Sequence, residues 1–133
     1  MHYVTEVPFG VPCQTHLWFS QKVTKEVEDF RQRGDPNGAF WKRVKRHAQN
    51  GFWLAERGDN PSIRHEWNRV YRIGFVDSLF RIIGFYEDES GKHDFIAIDA
   101  FLKSGQDLNA AQRARIDAVA RVRQEILWKK VRP

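Results

Sequence analysis

Three runs lying close together in the chain, EWNRVYRIGFV (66–76), LFRIIGFYE (79–87) and DFIAIDAFLK (94–103), are rich in Val, Ile, Phe and Tyr and change character with a period of two. That period belongs to strands, whose successive side chains point to opposite faces. Only Asp77 and Ser78 separate the first run from the second, and DESGKH (88–93) separates the second from the third. Connections this short join antiparallel neighbours, so the runs predict a three-stranded meander.

The segments on either side have a helical period. In THLWFSQKVTKEVEDFRQRG, Phe19, Val23, Val27 and Phe30 fall at i, i+4, i+8 and i+11, one stripe of a helix that Gly34 would stop. Asp35 and Pro36 read as the N-cap and first-turn proline of a second helix, with Phe40, Val44 and Ala48 on its apolar face and Gly51 at its end. So short a turn between them predicts a helical hairpin packed on the sheet. After the meander, NAAQRARIDAVARVRQEILWKK (109–130) reads as a helix. Asn109 stands as its N-cap, Gln112 sits in capping-box position, and Ile116, Val119, Val122 and Ile126 share one side. The expected fold is therefore α+β: a small antiparallel sheet with an N-terminal helical hairpin and a C-terminal helix. Either HYVTEV near the start or FWLA at 52–55 supplies a further strand, and the pattern does not choose between them. At 133 residues the whole chain, 1–133, reads as one domain.

Several function classes drop out. A single cysteine, Cys13, forms no internal disulfide, and no stretch approaches the roughly 18 apolar residues of a membrane span. MHYVTEVPFGVPC lacks the basic-then-apolar order of a signal peptide, so a reducing cytoplasm is the expected location and no membrane partner is expected. The five histidines and one cysteine show no zinc spacing, and neither a glycine-rich phosphate loop nor a nucleophile elbow is present. The expectation is no metal and no cofactor.

Charge points the other way, toward a partner. Lys and Arg number 22 against 17 Asp and Glu, a net charge of +5. From Asn109 to Pro133 seven basic residues face two acidic ones, whereas the first 108 residues balance. An excess gathered at one end favours a nucleic acid or an acidic protein. Alternation sharpens this. It assigns Ile96, Ile98, Ala100 and Leu102 to the core face of the last strand and Phe95, Ala97, Asp99, Phe101 and Lys103 to the other. With aligned registers Arg72, Arg81, Asp99 and Lys103 share that second, partly open face, cations set among apolar side chains as a phosphate site requires.

The succession of a helical hairpin, VYRIGF, LFRIIGFY and DFIAIDAFLKSGQDLNAAQRARIDAVARVRQE resembles the RelE/ParE superfamily of bacterial toxins, and within it the HigB-like, phage-derived branch. The likeness is best from Val70 to Gln124. It implies the toxin of a type II toxin-antitoxin pair, a small sheet flanked by helices, encoded beside an antitoxin. By position Arg72 matches the basic residue of the family's second strand, Arg81 the arginine opening its third and Lys103 the basic residue after its last. The chain departs from the pattern at Ser104, where a second lysine is usual, and at Asp99, where the family often has an apolar residue or histidine.

What the resemblance implies chemically is a ribosome-dependent messenger-RNA endoribonuclease. A ribose 2′-hydroxyl attacks the adjacent phosphate, leaving a 2′,3′-cyclic phosphate and a free 5′-hydroxyl, a reaction that needs no metal. Arg72, Arg81 and Lys103 would hold the charge that builds on the phosphorane. His65, His93, Asp99 and Tyr86 are the candidates for proton transfer, with His65 and Asp99 first. Lys42, Arg43, Lys45 and Arg46 of the second helix, and Arg113 and Arg121 of the last, would contact RNA. The expected partners are messenger RNA, the ribosome and a helix-turn-helix antitoxin with an acidic or amphipathic segment. The alternative is a protein of the same kind that inhibits gyrase, or another replication or translation factor, by binding alone.

Overall fold

The computed structural model describes residues 1–52, 69–75, 78–103, 105 and 108–132. Among them are six strands, β1 (His2–Glu6), β2 (His16–Ser20), β3 (Tyr71–Ile73), β4 (Phe80–Tyr86), β5 (Asp94–Leu102) and β6 (Trp128–Lys130), and three helices, α1 (Gln21–Arg33), α2 (Ala39–Asn50) and α3 (Ala110–Gln124). The strands form one sheet in the order β3-β4-β5-β2-β1-β6. Neighbours β3/β4, β4/β5 and β1/β2 are antiparallel, while β5/β2 and β1/β6 are parallel.

This overturns the expected small antiparallel sheet headed by a helical hairpin. The sheet is mixed, and two strands precede the hairpin. The reason lies in what each missed strand buries. In β2, HLWFS, the four residues from Leu17 to Ser20 are all buried, so it lacks the alternation that marks a half-exposed strand and blends into the helical stripe that follows. Phe19 accordingly belongs to β2, and α1 begins two residues later. At the other end the last helix stops at Gln124 instead of running to Lys130. Ile126 adopts a left-handed φ of 53°, the chain turns, and Trp128–Lys130 pairs with β1. Of the two candidates for a further strand, HYVTEV supplies β1, and residues 53–55 of the other lie outside the described residues.

Local chemistry sets the helix ends. The Ser20 hydroxyl accepts from the Val23 amide at 3.2 Å and donates to the Ile98 carbonyl at 3.2 Å, capping α1 and tying its first turn to β5. The expected capping box on α3 is formed. Gln112 N donates to Asn109 Oδ1 at 2.8 Å, Asn109 N donates to Gln112 Oε1 at 3.2 Å, and the Gln112 amide nitrogen reaches the Leu102 carbonyl at 3.1 Å. Asp35 is not the N-cap of α2, which is Gly38, and Pro36 lies outside the first turn. The Asp35 carboxylate instead reaches into that turn, accepting from the amides of Phe40 at 3.1 Å and Trp41 at 3.3 Å.

Two cores lie on opposite faces of the sheet. On the hairpin side Val23, Val27, Phe40, Val44 and Ala48 meet Leu17, Phe19, Ile73, Phe80, Ile82 and Phe95. Phe30 stacks on Phe80 at 4.4 Å, and Phe40 meets Phe30, Phe75 and Phe80 edge-on between 5.2 and 5.5 Å. Each such ring pair adds about 1 kcal/mol beyond the area it buries. On the other side Ile116, Val119 and Val122 of α3 cover Ile83, Phe85, Ile96, Ile98 and Phe101.

The β4–β5 ladder holds a register shift. Ile83 faces Asp99 but Gly84 faces Ala97, so Ile98 is an extra residue in β5. The extra residue reverses the parity of the strand. Ile96 and Ile98 join the α3-side core while Phe95, Ala97 and Ala100 join the hairpin-side one, and Leu102, expected in the core, is 59% exposed. Gly84 permits the shift, for a Cβ there would lie 2.1 Å from the Ile96 carbonyl oxygen and 2.9 Å from the Ala97 Cα. Backbone atoms cannot step aside as a flexible side chain does. Gly84→Ala should therefore destabilise the fold by about 3 kcal/mol, while Gly105→Ala, whose Cβ meets nothing within 4 Å, should change it little. Urea denaturation midpoints of the two variants test this, and equal midpoints would contradict the packing argument.

Candidate functional site

Register brings the predicted cations together. Arg72 lies opposite Ile83, Ile83 opposite Asp99, and Arg81 opposite Phe101, while the Lys103 amide bonds the Leu79 carbonyl at 2.8 Å. Arg72, Arg81, Asp99, Phe101 and Lys103 thus share one side of three neighbouring strands. That side is not the open face expected. It is the side on which α3 packs, and Arg81 and Lys103 are only 9% and 8% exposed.

Arg81 fits there because of Gly74. A Cβ on Gly74 would meet the Arg81 Cδ at 2.4 Å and its Nε at 2.7 Å, so the arginine stem occupies the space that a side chain would take. Its Nη1 donates to the Phe80 carbonyl at 2.9 Å and to the Ser78 carbonyl. Burial first, and the neighbouring charge of Arg72 second, pull the Arg81 pKa below its ordinary value. No carboxylate among the described residues is paired with it. This is a cation fixed by backbone acceptors next to a second cation, an arrangement able to take an anion.

Asp99 is engaged otherwise. Its Oδ2 accepts from Arg115 Nε at 2.8 Å, and its Oδ1 accepts from Arg115 Nη2 at 2.7 Å, from Lys22 Nζ at 3.0 Å and from the Ala100 amide at 2.8 Å. Burial pushes the carboxyl pKa up, but the hydrogen bonds from Arg115 and Lys22 outweigh it and hold the group below the usual aspartate value. The same hydrogen bond raises the pKa of Arg115, whose guanidinium also lies 4.8 Å over the Phe101 ring. A carboxylate so filled with donors is a poor proton acceptor. Lys22 and Arg115 escaped the sequence reading. The signal for them was Asp99 itself, since an acid in a strand buried on both faces demands cations from whatever packs beside it.

The remaining candidates are dispersed. His65 lies outside the described residues. Tyr86 is 2% exposed on the hairpin side, packed edge-on against Tyr71 and Phe95. His93 is exposed and immediately precedes β5, while Lys103 lies just past its other end. Lys42, Arg43, Lys45 and Arg46 ride on α2, across the sheet from Arg72 and Arg81, with the Arg43 guanidinium 4.0 Å over Phe75. On α3, Arg113 is exposed and Arg121 is ion-paired with Glu125 one turn on. The C-terminal charge excess is partly spent inside the fold. Lys130 meets Glu87 at 2.6 Å and Asp94 at 3.5 Å, above the Trp18 ring.

No protein-family model matches the chain, and no curated protein or solved structure matches it either. Among the described residues no helix is long and apolar enough to cross a membrane, and no three His, Cys, Asp or Glu side chains gather where they could hold a metal ion.

The clamp of Arg115 and Lys22 on Asp99 makes a pH-dependent contribution to stability with a definite sign. Because the folded Asp99 pKa lies below the unfolded one, its contribution is complete above the ordinary value near 3.8 and is lost as pH falls through the depressed folded value. Asp99→Asn should cost about 2 kcal/mol at pH 7, the lower end for a buried pair, since Arg115 and Lys22 stay partly hydrated. The deficit should shrink as pH falls below about 4. Denaturant titrations at pH 7 and pH 3 measure both, and a deficit independent of pH would show that the charge is not what holds the clamp.

Proposed function

We propose that the chain is a toxin of the RelE/ParE kind, close to the HigB-like branch, and that it cleaves messenger RNA on the ribosome by 2′-hydroxyl attack on the scissile phosphate. The observation that carries this reading is the placement of Arg81: buried, fixed by two backbone carbonyls, adjacent to Arg72 and with no described carboxylate paired to it. Lys103 lies on the same side of the next strand. An anionic phosphorane is the charge such a group of donors stabilises best, and removing one donor of this type costs about 100- to 1000-fold in rate.

On this reading the roles within the set divide. Arg72, Arg81 and Lys103 hold the phosphate. Asp99 positions Arg115 and Lys22 rather than taking a proton, which leaves that step to His65. Lys42, Arg43, Lys45, Arg46, Arg113 and Arg121 belong to outer contacts with RNA. The partners are a helix-turn-helix antitoxin, whose acidic or amphipathic segment covers the cations, and the ribosome with its message, all in the cytoplasm. One observation favours the binding-only alternative, in which the chain blocks gyrase or another factor: Arg81 and Lys103 are each less than a tenth exposed, little surface for an RNA chain to reach.

Induced expression followed by primer extension on a cellular transcript separates the two. Wild type should generate new ends bearing 5′-hydroxyls, and Arg72→Ala should reduce them at least tenfold while the protein still folds, because Arg72 is only half-buried. Arg81→Lys keeps the charge but loses the planar donor fork, and it should fall similarly. Growth arrest by wild type and both variants without new ends would overturn the ribonuclease reading in favour of a binding inhibitor.

A further inference from the structure

On the hairpin side, away from Arg72 and Arg81, a cavity of about 500 Å³ opens between the β1–β2 connection, α1 and α2. Its size falls within the roughly 300–1000 Å³ of small-ligand sites. One wall is aromatic. The rings of Phe9 and Trp41 lie 5.4 Å apart at 33°, both partly exposed, with Phe19 behind Trp41 at 6.1 Å. The rim is cationic. Lys42 and Lys45 project from successive turns of α2, and Arg31 of α1 lays its guanidinium 4.9 Å over Trp41.

None of these three cations forms an ion pair with a described residue. Of the two carboxylates that line the cavity, Glu6 is engaged by His16 at 2.8 Å, and the exposed Glu28 pairs with none of the three. Thr5 and Thr24 also line the cavity and bring neutral hydrogen-bonding hydroxyls to it. A ligand matching all of this has a planar aromatic ring, neutral polar groups and an anion.

We propose that this cavity binds a nucleoside monophosphate, with its base against Phe9 and Trp41 and its phosphate on Lys42, Lys45 and Arg31. The chemistry is shared by a free mononucleotide and by the 5′-phosphorylated end of an RNA strand. Stacking on the aromatic wall is tolerant of base identity, so the site selects for ring plus phosphate rather than for one base. It is separate from the Arg72 and Arg81 cluster and does not depend on what that cluster does.

Isothermal titration calorimetry of the full chain with adenosine 5′-monophosphate tests it, with adenosine and inorganic phosphate titrated separately. The monophosphate should bind one to one, at least tenfold tighter than either fragment and more weakly as salt rises. Lys42→Ala/Lys45→Ala should weaken it at least tenfold. Both side chains reach solvent, so the fold should survive, and an unchanged far-ultraviolet circular dichroism spectrum would confirm that. Trp41→Leu should weaken adenosine and the monophosphate at least tenfold. A 5′-phosphorylated RNA pentamer binding at least tenfold tighter than the monophosphate, through the same lysines, assigns the site to an RNA end. Equal or weaker binding assigns it to the free mononucleotide. No monophosphate binding at millimolar concentration, or binding indifferent to the lysine pair, overturns the proposal.

Discussion

The fold depends on β5 being interior on both of its faces. Nine residues long, it pairs with β4 on one edge and β2 on the other, takes the hairpin on one face and α3 on the second, and is buried from Phe95 to Phe101. A strand so placed must be apolar throughout, and the single acid in its buried stretch must be neutralised from outside the sheet. Asp99 meets that requirement by drawing Lys22 from the first turn of α1 and Arg115 from the second turn of α3. One carboxylate thereby fixes the helices of two different layers relative to the same strand. The Ser20 hydroxyl on the Ile98 carbonyl and the Gln112 amide on the Leu102 carbonyl add neutral ties at either side of it. The acid is therefore less an active group than a spacer whose partners determine where α1 and α3 can sit.

What could be read from the sequence was whatever local chemistry dictates. The stripe of Val23, Val27 and Phe30 and that of Phe40, Val44 and Ala48 give α1 and α2, and Asn109 with Gln112 gives the start of α3. The alternation from Tyr71 to Lys103 gives the meander and groups Arg72, Arg81, Asp99 and Lys103 correctly on one side. What could not be read depends on contacts distant in sequence. The strand β2 is short and interior, so it carries no period of its own. Only the parallel partner β1 makes a strand of Trp128–Lys130, more than 120 residues away in the chain. The bulge at Ile98 is a third case. Nothing local announces an extra residue, yet it transfers Ile96 from the face shared with Ala100 to the face shared with Asp99.

Charge illustrates the same division between local and distant. The excess of basic residues after Asn109 reads as an asymmetry favouring an anionic partner, but the fold pairs Arg115 with Asp99, Arg121 with Glu125 and Lys130 with Glu87 and Asp94. The exposed pair of Arg121 with Glu125 contributes little to stability, but all three pairings share another effect: they remove positive potential from the C-terminal segment. Two further groups of cations lie elsewhere. They collect in two places separated by the sheet, one beside Arg81 and one around Trp41, and because the sheet lies between them a single extended ligand cannot follow a straight path from one to the other.

The two places differ in how much order they possess before anything binds. Lys42 and Lys45 are flexible side chains at the rim of a cavity, and immobilising each on a phosphate costs roughly 0.5–1.5 kcal/mol of rotamer freedom. Arg81 has already lost that freedom, since its stem fills the space over Gly74 and its Nη1 is held by two carbonyls. Folding has met the ordering cost, as well as the cost of bringing its charge out of water beside Arg72. A site of that kind gains little from merely binding an anion and most from one whose charge is concentrated and must be stabilised at a fixed point, as in a transition state. The rim around Trp41, adaptable and wet, suits reversible binding instead. The two proposed roles therefore divide by preorganisation: a fixed arginine suits the chemistry proposed for the α3 side of the sheet, and mobile lysines suit the recognition proposed for the hairpin side.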